Sequence, residues 1–443
     1  MKVPLLIISD APSSSSGLGR ICKDLALGIH HHLNDLYDVG TLGYGGPGDR
    51  RLPFPQYAIE GLNDFFIPAV KDVWQNFSEG RKGAVLTIWD ASRMLWFGRP
   101  DNPEWLNDRE MRKWLLSRPF QKWIYAPMDA AGPKNMLCNA NAQCLYGFDR
   151  IIAYSEWAKK VIENTFSEQD CRKRELVAIP HGIHSTIFHP HQGMNKRAVF
   201  RTDFGQEIVF EDNEKLIGIV ATNQMRKDYG LAMEALEEVA KEIPIRIFIQ
   251  IDTNERHWAI MKLLEDYNLM HRAIINNGLV SDETMAKLYS ACDLTLGIGP
   301  EGFGFPIFES LACGTPVIAG NYGGHAEHMD AEMMIEPGMF RVEGIFNSVR
   351  PVYDPKKWAW KIKKELKRSE NKDRFTLRKT LLPPRLDWKN LWSAEWEPWF
   401  RRQHQTVGTT EPFLVLPSNI PGMGMAPEAH RTLKAVSPEV PLV

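Results

Sequence analysis

At 443 residues the chain exceeds the usual size of one hydrophobic core, so two domains are expected. Apolar residues make up 44% and charged residues 24%, which is ordinary for a globular protein. Its 53 basic and 55 acidic side chains leave a net charge of −2, which argues against a protein that coats nucleic acid electrostatically.

The opening MKVPLLIISD has a short apolar run broken by Pro4 and reads as a buried first strand, Val3–Ser9, rather than a signal peptide. Further apolar, β-rich runs follow at Val85–Trp89, Lys122–Ala126, Arg150–Tyr154, Leu216–Ala221, Ile245–Ile251, Leu294–Ile298 and Pro316–Ala319. Helix-length segments lie among them at Leu18–His32, Glu156–Asn164, Leu231–Glu242, Arg256–Tyr267, Asp282–Ser290 and Phe305–Ala312. Strands alternating with helices predict an α/β protein with parallel sheets covered on both faces. The alternation starts once at Val3 and again at Leu216, which places a boundary near residues 185–210.

Six scattered cysteines without a CxxC pair suggest neither a zinc framework nor a disulfide scaffold, so reduced thiols in a cytoplasm are expected. No apolar stretch reaches the roughly 18 residues of a membrane span, so any membrane contact is expected to be peripheral. The run His30–His32 falls in a helical pattern and reads as surface. KIKKELKRSENKDR (361–374) reads as a solvated helix charged on all sides. Tryptophans 74, 89, 96, 105, 114 and 123 crowd the first half, mostly as core, with one or two left as a stacking face for an acceptor.

The strongest chemical signal is Glu301-Gly-Phe-Gly-Phe-Pro-Ile-Phe-Glu309 followed by SLACGTPVIAG. Gly302 and Gly304 let a backbone approach a ligand closely, and the amides of a helix start make an anion site. Glu301 stands at the mouth of the turn. Glu309 lies about one helical turn on, where a carboxylate accepts hydrogen bonds from sugar hydroxyls. The pattern suits a polyhydroxylated phosphate ester. A plain strand-to-helix turn would need the glycines but not both carboxylates.

Four further strand ends carry chemistry. Ser13–Arg20, SSSSGLGR, puts Gly17 and Gly19 between the first strand and first helix, where amides can face a phosphate. Thr222–Asp228, TNQMRKD, brings Asn223, Arg226 and Lys227 to the end of a second-half strand. Neighbours on a helix diverge, so Arg226 and Lys227 are not expected to reach the same phosphate. Trp123–Asp129 ends in Asp129, and Asp90 follows VLTIW; a turn-capping role for Asp90 is an even alternative.

EGFGFPIFESLACGTPVIAG resembles the E-x7-E signature of the family 4 glycosyltransferases of the GT-B fold, a retaining group. The likeness runs from DAPSSSSGLGR to GGHAE at 323–327 and leaves out the tail. It implies two Rossmann-like doubly wound domains facing a cleft: an acceptor-side domain over 1–190 and a nucleotide-sugar-binding domain over 191–384. A C-terminal helix over 385–404 would cross back to the first domain, and an irregular tail would fill 405–443. By resemblance, Glu309 binds the donor ribose. Glu301, with the amides of Gly302, Phe303, Gly304 and Phe305, addresses the sugar and diphosphate. Arg226 and Lys227 neutralise the leaving diphosphate beside Asn223, Gly17 and Gly19 close over it, and Asp129 stands by the anomeric carbon. His181, Gly182 and Glu327 take support roles.

The expected reaction moves a hexose or pentose from a nucleoside-diphosphate sugar to an acceptor hydroxyl, on a glycan, a lipid or a hydroxylated DNA base. Front-face attack retains the anomeric configuration. The donor is a substrate rather than a cofactor, no cofactor is expected, and the absence of a D-x-D motif leaves no expected metal. A nucleotide-sugar epimerase and a non-catalytic nucleotide-sugar-binding subunit of the same fold are the alternatives. Nucleobase, sugar, acceptor and oligomeric state stay open.

Overall fold

A computed structural model describes residues 2–59, 66–192, 196–205, 207–211, 213–251, 257–344, 347–368 and 379–407. The chain divides into two compact units, Met1–Ile179 with Trp392–Val443, and Pro180–Leu391. Both are Rossmann-like, so the α/β expectation holds.

The first unit is built on seven parallel strands: β1 (Val3–Asp10), β2 (Tyr37–Tyr44), β3 (Gln56–Ile59), β4 (Ala84–Thr87), β5 (Gln121–Ala126), β6 (Arg150–Ala153) and β7 (Val177–Ala178). They lie in the order β3-β2-β1-β4-β5-β6-β7. The six inner residues of β1 and all six of β5 are buried, as expected for strands covered on both faces. Strand β2 has no apolar run to announce it. Its sequence, YDVGTLGY, carries Gly40, where a Cβ would meet the Phe77 ring, and Gly43, where one would lie 2.6 Å from the Ala11 Cα. Tryptophans 74, 89, 96 and 123 are core, and 105 and 114 pack against it.

The helix Glu397–Thr406 belongs to this unit through aromatic packing. Trp399 meets Trp123 at 5.3 Å between centroids, and Trp396 meets Tyr125 at 4.9 Å. The Tyr37 hydroxyl donates to the Phe400 carbonyl, and Arg150 donates to the Gln403 side chain. The helix runs through Gln405 to Thr406; the rest of the expected tail, 408–443, lies outside the described residues.

The second unit holds β8 (Lys215–Val220), β9 (Ile245–Gln250), β10 (Ala273–Asn276), β11 (Leu294–Gly297), β12 (Val317–Gly320) and β13 (Met334–Ile335), parallel in the order β10-β9-β8-β11-β12-β13. An antiparallel hairpin, β14 (Met339–Glu343) and β15 (Ser348–Val352), precedes the helix Pro355–Arg368. That helix is not charged on all sides, as its sequence suggested. Trp358, Ala359, Ile362 and Leu366 bury one face, and the window starting at 361 had cut off its first two apolar residues. The helix expected over Arg256–Tyr267 appears as Ile260–Asp266, and Arg256 lies outside the described residues.

Candidate functional site

In the second sheet, β8 leads outward to β9 while β11 leads the other way to β12, so the winding reverses between β8 and β11. A crevice at the carboxyl ends of such a strand pair is where open α/β sheets bind ligands. A depression occurs there, lined among others by Ala221, Tyr289, Gly297, Glu301, Pro306 and Ile307.

Arg226 and Lys227 enter this place on a turn. The helix begins only at Tyr229, with Asp228 as its cap accepting from the Leu231 amide. The divergence expected of helical neighbours therefore does not apply, and both side chains reach one carboxylate. Lys227 Nζ is in contact with Glu301 Oε1, and Arg226 Nη1 lies 2.9 Å from Glu301 Oε2. Arg226 also donates to the Pro300 carbonyl. Lys227 is buried, so the pair is no solvated basic patch. Asn223 is spent on the loop itself: its amide nitrogen donates to the Trp258 carbonyl and its oxygen accepts from the Trp258 amide.

The glycines make the approach possible. Gly299 has φ +81°, and a Cβ there would sit 2.1 Å from the Arg226 carbonyl oxygen, so the 297–301 loop lies directly on the 226–227 turn. Gly304, at φ +89°, caps the helix Phe305–Ala312 without a side-chain bond. Glu301 is held from behind by a bridge to Gly323, and its carbonyl accepts from the Gly324 amide at 2.9 Å. Phe303 and Phe305 face an aromatic cluster with Phe308 and His181, and the His181 ring stacks on Phe305 at 5.4 Å. Burial holds the His181 imidazole well below its ordinary pKa, so it packs as a neutral ring. Glu309 is 5% exposed, and its Oε2 accepts from the Tyr289 hydroxyl at 3.0 Å. Tyr289 carried no motif and escaped the sequence reading.

In the first unit the winding reverses between β1 and β4, and Ser13–Arg20 follows β1 there. Ser16 caps the first helix by accepting from the Gly19 amide at 3.0 Å. Its hydroxyl also donates to Asp10, whose other oxygen accepts from Trp89 Nε1 at 2.9 Å. A Cβ on Gly19 would lie 2.5 Å from the Ala11 carbonyl oxygen, which excludes any side chain; Gly17 is exposed. Asp129, half-buried three residues beyond β5, shares an electrostatic neighbourhood with Asp90 and Asp10. Burial first, then these three carboxylates, raise the pKa of the Tyr154 hydroxyl. Asp90 makes no side-chain cap on the short helix it precedes. Asp10 opens the DAPSSSSGLGR segment and was given no role in the sequence reading.

Residues 200–377 match the family described as Glycosyl transferases group 1. The match lies within the second unit. That match encloses Arg226, Lys227, Glu301 and Glu309, and glycosyl transfer from a nucleotide sugar is the activity class it supports. An uncharacterized glycosyltransferase of Methanocaldococcus jannaschii is 20% identical over 75% of this chain and 84% of its own length. Among solved structures, the fold resembles Anabaena HepE in complex with UDP-glucose, at TM-score 0.63 and 14% identity over 90% of this chain and 99% of that one. It also resembles the catalytic domain of starch synthase IV from Arabidopsis thaliana bound to ADP and acarbose, at TM-score 0.64 and 11% identity over 91% and 99%. The fold is GT-B.

Proposed function

We propose that this protein is a retaining glycosyltransferase of the family 4 type, moving a hexose or pentose from a nucleoside diphosphate to an acceptor hydroxyl without a metal ion. The observation that carries this is the convergence of Lys227 and Arg226 on Glu301 beside the amino end of the helix Phe305–Ala312. Two cations and a helix start at one switch point suit a departing diphosphate, stabilised as charge develops on it. Glu309, set by Tyr289, reads the ribose hydroxyls. Glu301 addresses the sugar, and the amides of the loop after it address the diphosphate. Asn223 acts through the loop it pins.

In the reaction the bond from the anomeric carbon to the phosphate oxygen breaks as the acceptor oxygen bonds on the same face. The departing phosphate takes the acceptor's proton, so no enzymic nucleophile is required. Gly17 and Gly19 serve the diphosphate, and Asp129 serves the sugar or acceptor, as the resemblance assigns. The acceptor is a glycan, a lipid or a hydroxylated DNA base, and the compartment is cytoplasmic. Solved relatives of the fold hold UDP-glucose in one case and ADP in another, so ribose and diphosphate are the parts their ligands share.

A thermal-shift panel of UDP-, GDP-, ADP- and TDP-sugars tests the reading. At a hundred times its Kd the true donor stabilises the fold by about 2.7 kcal/mol. Lys227→Met should keep the fold and lose roughly 100- to 1,000-fold in kcat, and Glu309→Gln should weaken donor binding. No stabilisation by any nucleotide sugar would refute the assignment, and an inverted anomeric signal in the product would refute retention.

A further inference from the structure

The helix Pro355–Arg368 carries seven basic residues against one acid, Glu365, in a chain whose net charge is −2. Its inner face is settled: Trp358, Ala359, Ile362 and Leu366 are buried. At about 3.6 residues per turn, the opposite face presents Lys357, Trp360, Lys361 and Lys364. Trp360 is 58% exposed, and the Lys364 ammonium lies 5.3 Å from its ring centroid.

The C-terminal turns of the helix are neutralised locally. Lys363 and Lys367 pair with Glu242, and Arg368 pairs with Glu332 and Glu365. No carboxylate within 4.0 Å answers Lys356, Lys357, Lys361 or Lys364 among the described residues. The cations left over are those around the exposed indole. The hairpin just before the helix also exposes Met339, Phe340 and Val342, and Met339 pairs with Val352, three residues before Pro355.

From this face we infer that the helix docks the protein on an anionic phospholipid surface. An indole flanked by lysines suits the headgroup boundary, where the ring sits among glycerol and acyl groups and the ammonium groups meet phosphate. Nucleic acid fits less well. The indole face is already covered by Lys364 instead of open to a base, and the adjoining hairpin offers apolar side chains that phosphodiesters do not use. Among the described residues no helix is long and apolar enough to cross a membrane, so the contact is peripheral.

Co-sedimentation of the full chain with phosphatidylcholine vesicles, with and without phosphatidylserine, tests this. Binding should require phosphatidylserine and weaken as salt rises. Each lysine adds about fivefold to the partition coefficient, so Lys357→Ala, Lys361→Ala and Lys364→Ala together should lower it roughly a hundredfold. Trp360→Ala should lower it further with lysines intact, and all variants should keep the parent Tm. Equal binding to neutral vesicles overturns the proposal. So does a triple variant that binds like the parent, or tighter binding to duplex DNA than to anionic vesicles at one ionic strength.

Discussion

Single side chains show where residue chemistry departs from residue type. Lys122 is a lysine inside β5, fully enclosed, with its ammonium against the Phe97 carbonyl and 4.9 Å from the Phe97 ring. Burial, then the nearby Arg118 charge, lowers its pKa from 10.5 to about 7, against the opposing pull of Asp149. Between about pH 7 and 10.5 the unfolded chain therefore holds a proton that the fold does not. Stability rises with pH across that window, and the full burial penalty is present below it. Urea unfolding across this window should show the rise, and Lys122→Met should flatten it. Equal slopes in the two proteins would sink the assignment. Composition alone would have placed this lysine on the surface; only enclosure by the sheet sets its proton.

Elements of the second unit were legible where apolar runs were long. Strands β8, β9, β11 and β12 and the helix Phe305–Ala312 fall on the expected segments, because buried parallel strands need continuous apolar residues. Of the candidate site, Glu301, Glu309 and the basic pair were legible, but not their arrangement. That Arg226 and Lys227 share a carboxylate follows from a turn no periodicity encodes, pressed against Gly299. Gly299→Ala combines a left-handed φ with a collision against main chain, so a loss of roughly 1–3 kcal/mol is expected, with weakened donor binding. Gly45→Ala is the control: its φ is +77° and nothing lies within 4 Å of the added carbon. Matching melting temperatures for the two variants would show that the contact with the 226 turn carries no weight.

At the scale of the whole chain, the first unit is completed by residues more than two hundred positions away in sequence. Trp399 is 1% exposed between Trp123, Trp396 and Phe400. Trp399→Ala should cost about 3–5 kcal/mol, read as an earlier urea midpoint. An unchanged midpoint would mean the returning helix adds nothing to this unit. The sequence by itself determined the α/β class, the two starts of strand–helix alternation and the two acidic positions eight residues apart, because burial period and chemistry-bearing residue types are local properties. Tertiary structure alone decided that Tyr289 sets Glu309, that Asp10 ties Ser16 to Trp89, and that Trp399 closes on Trp123. Each of these joins segments through space, and no spacing along a chain specifies which buried hydrogen-bonding group or ring will meet which.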